Sequence, residues 1–435
     1  MNQFTLVIIG IMIALALIGV LLFSGVIPGF SLGGGGGNPA ALIMWGIVPY
    51  DQMRDLIDVV NGQNQKLFSI TYVVKNPDTY QNELVDALAS GKGPDLWFLS
   101  QDLILKNKDK VFLLPFASFS ERAFKDAFVG EGELFLSKDG IVALPFIIDP
   151  IVLYWNRDLA SGAGISRAPK TWDEFVSFIG RLTNRDTSGN ITQSGAAFGE
   201  FQNVDHAKDI ISLLILQTGN PIVDSATFHS TLSGGAGEIG QAPENAVRFF
   251  TEFSDPAKTT YSWNKSLPGS KNAFIGGILA YYFGYASEYN DIVAKNPHLN
   301  FDVAEVPQIS GGHIRLTFAK MQGLAVSKST PSITRAATAA AKLTEHDAIA
   351  GLVKKIFLPP IRRDLLAEAV SDPVLAIFYK SAIKSSAWLE PDPEATNDMF
   401  RVMTESVLSG KKKISDAMRD AHIKLNTMLE KFKPN

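Results

Sequence analysis

Two kinds of side chain in this sequence are suited to chemistry: aromatic rings at the ends of apolar runs, and single carboxylates inside or just beyond such runs. Trp45 closes an apolar segment ahead of Gly46 and Pro49, Asp102 stands three residues past Leu99, and Asp149 precedes Pro150 in an otherwise apolar stretch. Further along, Trp263, Tyr282 and Tyr285 gather around Gly284, where the missing side chain lets backbone approach a bound molecule, and Trp388 lies in an irregular segment before Pro391. A sugar presents apolar C–H faces and a rim of hydroxyls, so its site needs aromatic plates together with carboxylates or amides in fixed geometry. These positions supply both. Each also has a purely structural reading. Trp97, in an alternating strand pattern, reads as core, as do Trp155 and Trp172. Asp102 would serve equally as a helix N-cap. Asp149 is costly to bury alone, so a partner or a ligand must satisfy it.

Other chemistries find little support. The six histidines (His206, His229, His298, His313, His346 and His422) are scattered without metal-ligand spacing. With no cysteine in the chain, disulfides, thiolate metal sites, a cysteine nucleophile and a lipid-modified N-terminal cysteine are excluded. Gly235 to Gly240 matches G-x-G-x-x-G, but no buried strand precedes it and Pro243 follows at once, so it reads as a surface loop. Asn184 to Thr192 resembles a calcium loop only in part, because Gly195 stands where a bidentate Glu is needed, and a polar hairpin turn fits better. Lys411 to Lys413 reads as a solvated helix start. Glycoside hydrolysis is the nearest catalytic alternative, since two carboxylates about 5 to 9.5 Å apart around a sugar suffice for it. No motif points to it, and no cofactor is expected.

The elements that must position these residues follow an alternating order. Ala40 to Val48, Leu67 to Val74 and Asp95 to Leu99 have strand patterns, separated by helical spacing over Tyr50 to Asn61 and Asp78 to Ser90. That order implies crossover connections and a mainly parallel sheet, with ligands at the carboxyl ends of the strands, in the loops after Trp45 and Leu99. Ile141 to Asn156 is a long extended stretch able to pass from one lobe to another. Helices then dominate: Thr171 to Leu182 with a capping box at Thr171 and Glu174, Ala207 to Thr218, Pro243 to Phe253, Thr334 to Thr344, and Ala395 to Lys431 broken at Gly410. A chain of 435 residues, 46% hydrophobic and 19% charged, should fold, and its length suits two cores. A net charge of −4, from 40 basic and 44 acidic residues, leaves no surplus for neutralising phosphates, so nucleic acid is discounted as a partner.

No Asp, Glu, Lys or Arg precedes Asp51, and Thr5 to Ile27 is almost wholly apolar. As a helix with a rise of about 1.5 Å per residue this run would be about 34 Å long, enough to cross a hydrocarbon core of about 30 Å. It is expected to be a transmembrane anchor or a signal, and Gly33 to Gly37 a flexible tether.

Four segments, in order, resemble the extracellular solute-binding proteins of ABC importers, the family that includes the maltose-binding and other sugar-binding receptors. They are Gly91 to Phe98 (GKGPDLWF); Ala143 to Phe146 through Asp149, Leu153 to Leu159 (LYWNRDL) and Pro169 to Phe175 (PKTWDEF); Ala273 to Gly284; and Leu358 to Asp364, followed by two amphipathic helices. The resemblance implies an α/β, two-lobed, periplasmic-binding-protein-like (type II) fold with a hinge, preceded here by the N-terminal membrane helix. It implies discontinuous domains: 5–27 anchor or signal, 28–39 tether, 40–149 plus 312–358 one lobe, 150–311 plus 359–435 the other. It places Asp102 where the family has a hydroxyl-binding Asp and Asp149 where it has a cleft carboxylate. The expected ligand-binding set is therefore Trp45, Asp102, Asp149, Trp263, Tyr282, Gly284, Tyr285 and Trp388. The expected role is a monomeric receptor on the outer face of the cytoplasmic membrane that captures a carbohydrate and delivers it to ABC permease subunits. A peptide or polyamine ligand, or a sensor role, remains open on the same fold. Two features depart from the family: the anchoring cysteine is absent, and Leu103 stands where maltose-type receptors often carry arginine or another polar residue.

Overall fold

Strand and helix alternate from the start of the computed structural model, which describes residues 39–233 and 238–433. The apolar run 5–27 and residues 28–38 of the tether lie outside the described residues, among which no helix is long and apolar enough to cross a membrane.

Strand β1 (Ala40–Gly46) buries alternate residues Ala40, Leu42 and Met44, as period-two geometry requires. Helix α1 (Tyr50–Gln63) buries Met53, Leu56, Ile57 and Val60 on one stripe. β2 (Phe68–Val74), α2 (Tyr80–Ala89) and β3 (Leu96–Ser100) complete a parallel unit with β1 in the middle. The extended stretch becomes β4 (Leu144–Asn156), thirteen residues of which twelve are buried. Beyond it lie α3 (Trp172–Leu182), β5 (Ile191–Ala196), α4 (Ala207–Gln217), α5 (Glu238–Thr251), β6 (Leu279–Tyr285), β7 (Phe301–Ala304) and β8 (Thr317–Val326). The chain ends in α6 (Ile333–Leu343), α7 (His346–Ile356), α8 (Pro373–Ile383), the short strand β9 (Ser385–Ser386), α9 (Pro393–Leu408) and α10 (Ile414–Leu429).

These strands join one mixed sheet in the order β2-β1-β3-β8-β4-β6-β5, with β7 on β4 and β9 on β8. β8 and β4 lie antiparallel at its centre, and their register sets Lys320 opposite Asp149. β8 also pairs with β3, and β4 with β6, so these two long strands connect one half of the sheet to the other. The core of the β5–β6 half is aromatic: Phe175, Phe198, Phe253 and Phe283 meet with ring centroids 4.9 to 5.7 Å apart.

Three local expectations are refined. Thr171 does cap α3, accepting the Glu174 amide at 3.3 Å, but the Glu174 carboxylate binds Arg167 in two bonds of 2.7 and 2.8 Å instead of closing the capping box. α5 starts at Glu238, so Gly240 is helical and Pro243 is interior to the helix. Asp186 folds the polar turn before β5 by accepting the amides of Ser188 and Asn190.

Candidate ligand-binding site

Acidic and basic side chains converge where the end of β3, the middle of β4 and β8, the end of β6 and the start of α4 meet. β3 delivers Gln101 and Asp102 in a single 3-10 turn. Gln101 is 1% exposed and its Oε1 accepts the Met321 amide at 2.7 Å, which fixes the turn against β8. Asp102 caps no helix, and its Oδ1 is buried with no hydrogen-bond partner. From β4, Asp149 accepts the Ser287 amide at 3.0 Å. Burial pushes its carboxyl up to about 6; the bonds from Ser287 and the charge of Lys320 restrain the rise, while Glu288 adds to it.

The opposite wall comes from α4 and β6. Lys208 and Asp209 occupy the first turn of α4, a helix buried along its whole length. Lys208 Nζ lies 2.7 and 2.8 Å from the two carboxylate oxygens of Glu390, itself 2% exposed. Burial works against the Lys208 charge, but Glu390, Asp209 and Asp102 outweigh it and raise its pKa. Asp209 Oδ2 accepts the Tyr285 hydroxyl at 2.7 Å and lies 3.6 Å from Lys320 Nζ, which sits 4.8 Å from the centre of the Tyr285 ring. Burial opposes ionisation of Asp209 too, yet Lys320, Lys208 and Tyr285 hold its pKa below the usual value. Its Oδ1, like Asp102 Oδ1, is buried without a hydrogen bond.

Behind this wall Glu288 is locked in place. It accepts the Tyr282 hydroxyl and the Tyr285 amide, each at 2.8 Å, and contacts His206 Nε2 at 2.7 Å and Lys271 Nζ at 3.0 Å. Burial alone would raise its pKa, but His206 and Lys271 bring it down to about 2. His206 adopts φ of 60°, a costly conformation for a residue with a side chain, which turns the chain into α4.

Of the residues expected at the site, Asp102, Asp149 and Tyr285 meet here. Gly284 sits on the strand beside Tyr285, and a side chain there would meet the Tyr282 ring at 2.4 Å. Tyr282 is 1% exposed and stacks on Tyr154 and Phe274, so it supports the wall from within. Trp263 is wholly buried with its indole N–H on Asn203 at 3.0 Å, and Trp388 is buried with its indole N–H on Ser212 at 3.2 Å. Neither shows a ring face to solvent. Trp45, half-buried at the end of β1, carries Lys75 Nζ 3.7 Å from its ring centre. Lys208, Asp209, Lys320 and Glu390 escaped the sequence reading. Their signal was present: Lys208 and Asp209 head an apolar run from Ile210 to Leu216, and Lys320 interrupts an apolar strand.

The molecule is a mixed α/β body whose two sheet halves share a pair of long strands, with two buried carboxylate oxygens left without a hydrogen bond near the junction. Residues 55–376 match the sequence profile of the bacterial extracellular solute-binding proteins, and the chain belongs to that family. No curated protein matches the chain. Similar solved structures share its fold. A cyclic α-maltosyl-1,6-maltose binding protein from Arthrobacter globiformis is 15% identical, with a TM-score of 0.74 over 91% of this chain and 100% of that one. A cyclo/maltodextrin-binding protein complexed with maltotetraose is 18% identical, with a TM-score of 0.72 over 92% and 99%. A solute-binding protein of an ABC transporter from Thermotoga lettingae, bound with α-D-tagatose, is 20% identical, with a TM-score of 0.66 over 90% and 100%.

Proposed function

We propose that the protein is the receptor of an ABC importer and captures a sugar or oligosaccharide in a cleft formed by Asp102, Asp149, Lys208, Asp209, Tyr285, Lys320 and Glu390. The observation that carries this reading is the pair of buried acceptors without a hydrogen bond, Asp102 Oδ1 after β3 and Asp209 Oδ1 on α4, the latter 3.9 Å from Lys208 Nζ. A carboxylate oxygen only accepts, so a ligand that completes this site must bring donors, and adjacent hydroxyls do so. The Lys208 and Lys320 ammonium groups offer donors to hydroxyl oxygens in return. The cargo of the structural relatives, maltotetraose and tagatose among them, agrees with this choice.

In this reading the chain has two lobes, 40–149 plus 312–358 and 150–311 plus 359–435, which close about β4 and β8. The ligand favours the closed form only by its greater affinity for it. The closed monomer then presents its rims to the permease, while residues 5–27 anchor the chain to the outer face of the membrane and residues 28–39 tether it.

Thermal denaturation of the full chain against mono- and oligosaccharides, peptides and polyamines tests the proposal. A saccharide at 100 times its Kd is expected to add about 2.7 kcal/mol of stability and to be recovered unchanged. A shift given only by a peptide or polyamine would replace the sugar, and consumption of the saccharide would replace the receptor by an enzyme.

A further inference from the structure

Val223–Asp224 and His229–Ser230 pair antiparallel as a small hairpin apart from the main sheet. Its tip supplies Ser225, Ala226 and Phe228 to the wall of a cavity of about 860 Å³, whose facing wall is drawn from residues between Ile104 and Val142. Those walls belong to the two lobes proposed above, so the hairpin is part of the cleft and its attachment bears on whatever the cleft holds. Ile222 and Phe228 have left-handed backbone, at φ of 65° and 52°, a conformation that side chains disfavour and that the surroundings must hold in place.

Helix α10 fastens this hairpin to the body. Asn426 Oδ1 accepts the Ser230 amide at 2.9 Å, and Asn426 Nδ2 lies 3.0 Å from His422 Nε2, one helical turn back. A backbone N–H can only donate, so the Ser230 bond fixes which end of the Asn426 amide is oxygen. Its Nδ2 then donates, His422 Nε2 must accept, and the ring proton sits on Nδ1, which is buried without a partner. A second proton on the ring breaks this chain at one bond or the other. With Asn426 unmoved, two donors face each other at His422 Nε2; with its amide turned over, two donors face each other at Ser230.

We propose that His422 is a pH-sensitive latch for the cleft hairpin: neutral, it orients Asn426 to hold Ser230; protonated, it frees the tip and withdraws Phe228 from the cavity wall. Burial first, and then His229 on the hairpin, press the His422 pKa below the ordinary 6.5. Glu430, just beyond α10, acts on His229 and is paired with Lys433 at 2.6 Å. On the other elements packed against α10, Asp398 of α9 is bonded to Lys424 at 3.0 Å and Arg248 of α5 to Asn245 at 2.8 Å. The latch is therefore closed at neutral pH and opens as pH falls through the lowered value. A weaker hold on solute in acid is the functional consequence; it rests on the sugar-receptor reading, whereas release of the hairpin does not.

Hydrogen–deuterium exchange of the full chain without ligand, read by mass spectrometry over residues 222–232 as protection relative to the intrinsic rate, tests the latch. Protection of Ser230 is expected to fall at least about fivefold between pH 7.5 and pH 4.5. His422→Gln should hold its protection at both pH values, because its amide takes up no proton. So should Asn426→Asp, whose carboxylate accepts from Ser230 and from a protonated ring alike, while His229→Gln should keep the acid loss. Either of the first two variants suffices if the other does not fold. Unchanged protection in the unaltered chain, an acid loss undiminished in His422→Gln or Asn426→Asp, or its disappearance in His229→Gln would each overturn the proposal. A saccharide screen that failed would leave this result standing, and the reverse holds as well.

Discussion

Asp102 and Asp149 are both carboxylates at the junction of the two sheet halves, and neutralising each is read in a different measurement. Asp102 has a buried oxygen with no donor, so Asp102→Asn should leave the thermal midpoint of the free protein unchanged or higher. If the ligand supplies the missing donor, the same change should weaken saccharide binding by roughly 1.5 to 3 kcal/mol, or about 10- to 150-fold by calorimetry. Asp149 contributes to the pH dependence of stability. Its proton leaves near pH 6 in the folded chain but near the ordinary value of 3.8 when unfolded. Between those values the folded state binds more protons, so its contribution to unfolding free energy falls as pH rises from about 4 to about 6, then levels off. Urea denaturation across this range should show Asp149→Asn flattening that part of the profile relative to the unaltered chain. Asp149 was legible in the sequence because a lone charge beside a proline in an apolar run demands an explanation. Trp263 and Trp388 were less so, because sequence places an aromatic near a turn without saying which way its ring faces.

At the scale of elements, the first βαβ units were readable within a residue or two, since alternation in β1 and the 3-1-3 spacing of α1 leave little choice of buried face. Partners across the fold were not readable. Gln217, the last residue of α4, accepts the Trp172 indole N–H at 2.7 Å and donates to the carbonyls of Pro307 and Leu316 at 3.0 and 2.9 Å, joining four segments that sequence separates by up to 144 positions (316 minus 172). Gln217→Leu would strand the Trp172 indole N–H and the Pro307 carbonyl, while Leu316 keeps the Gln308 amide at 3.2 Å, and we expect a loss of about 1 to 3 kcal/mol in chemical denaturation. Thr171→Ala removes only the α3 cap and should cost about 1 kcal/mol in the same assay.

Across the whole molecule, one ion pair reaches between the β1–β3 half and the C-terminal helices: Lys106 Nζ lies 3.0 Å from Asp392 Oδ2, both partly exposed. Exposed pairs contribute up to about 1 kcal/mol. In the two-lobed reading Lys106→Ala therefore shifts the balance towards the open form, weakens ligand binding by no more than about fivefold, and enlarges the radius of gyration of the free protein in X-ray scattering. Such a lever was invisible in sequence, where its two residues stand 286 positions apart. The side-by-side run of β4 and β8 carries a different kind of implication. Their backbones are laced from Leu144 to Pro150 against Leu324 to Ala319, with one irregularity between Gln322 and Gly323. A ribbon of this sort flexes as a leaf spring does, by distributing small torsions along its length while its rungs stay intact. In the two-lobed reading, amides in that ladder should therefore exchange with deuterium equally slowly with and without ligand.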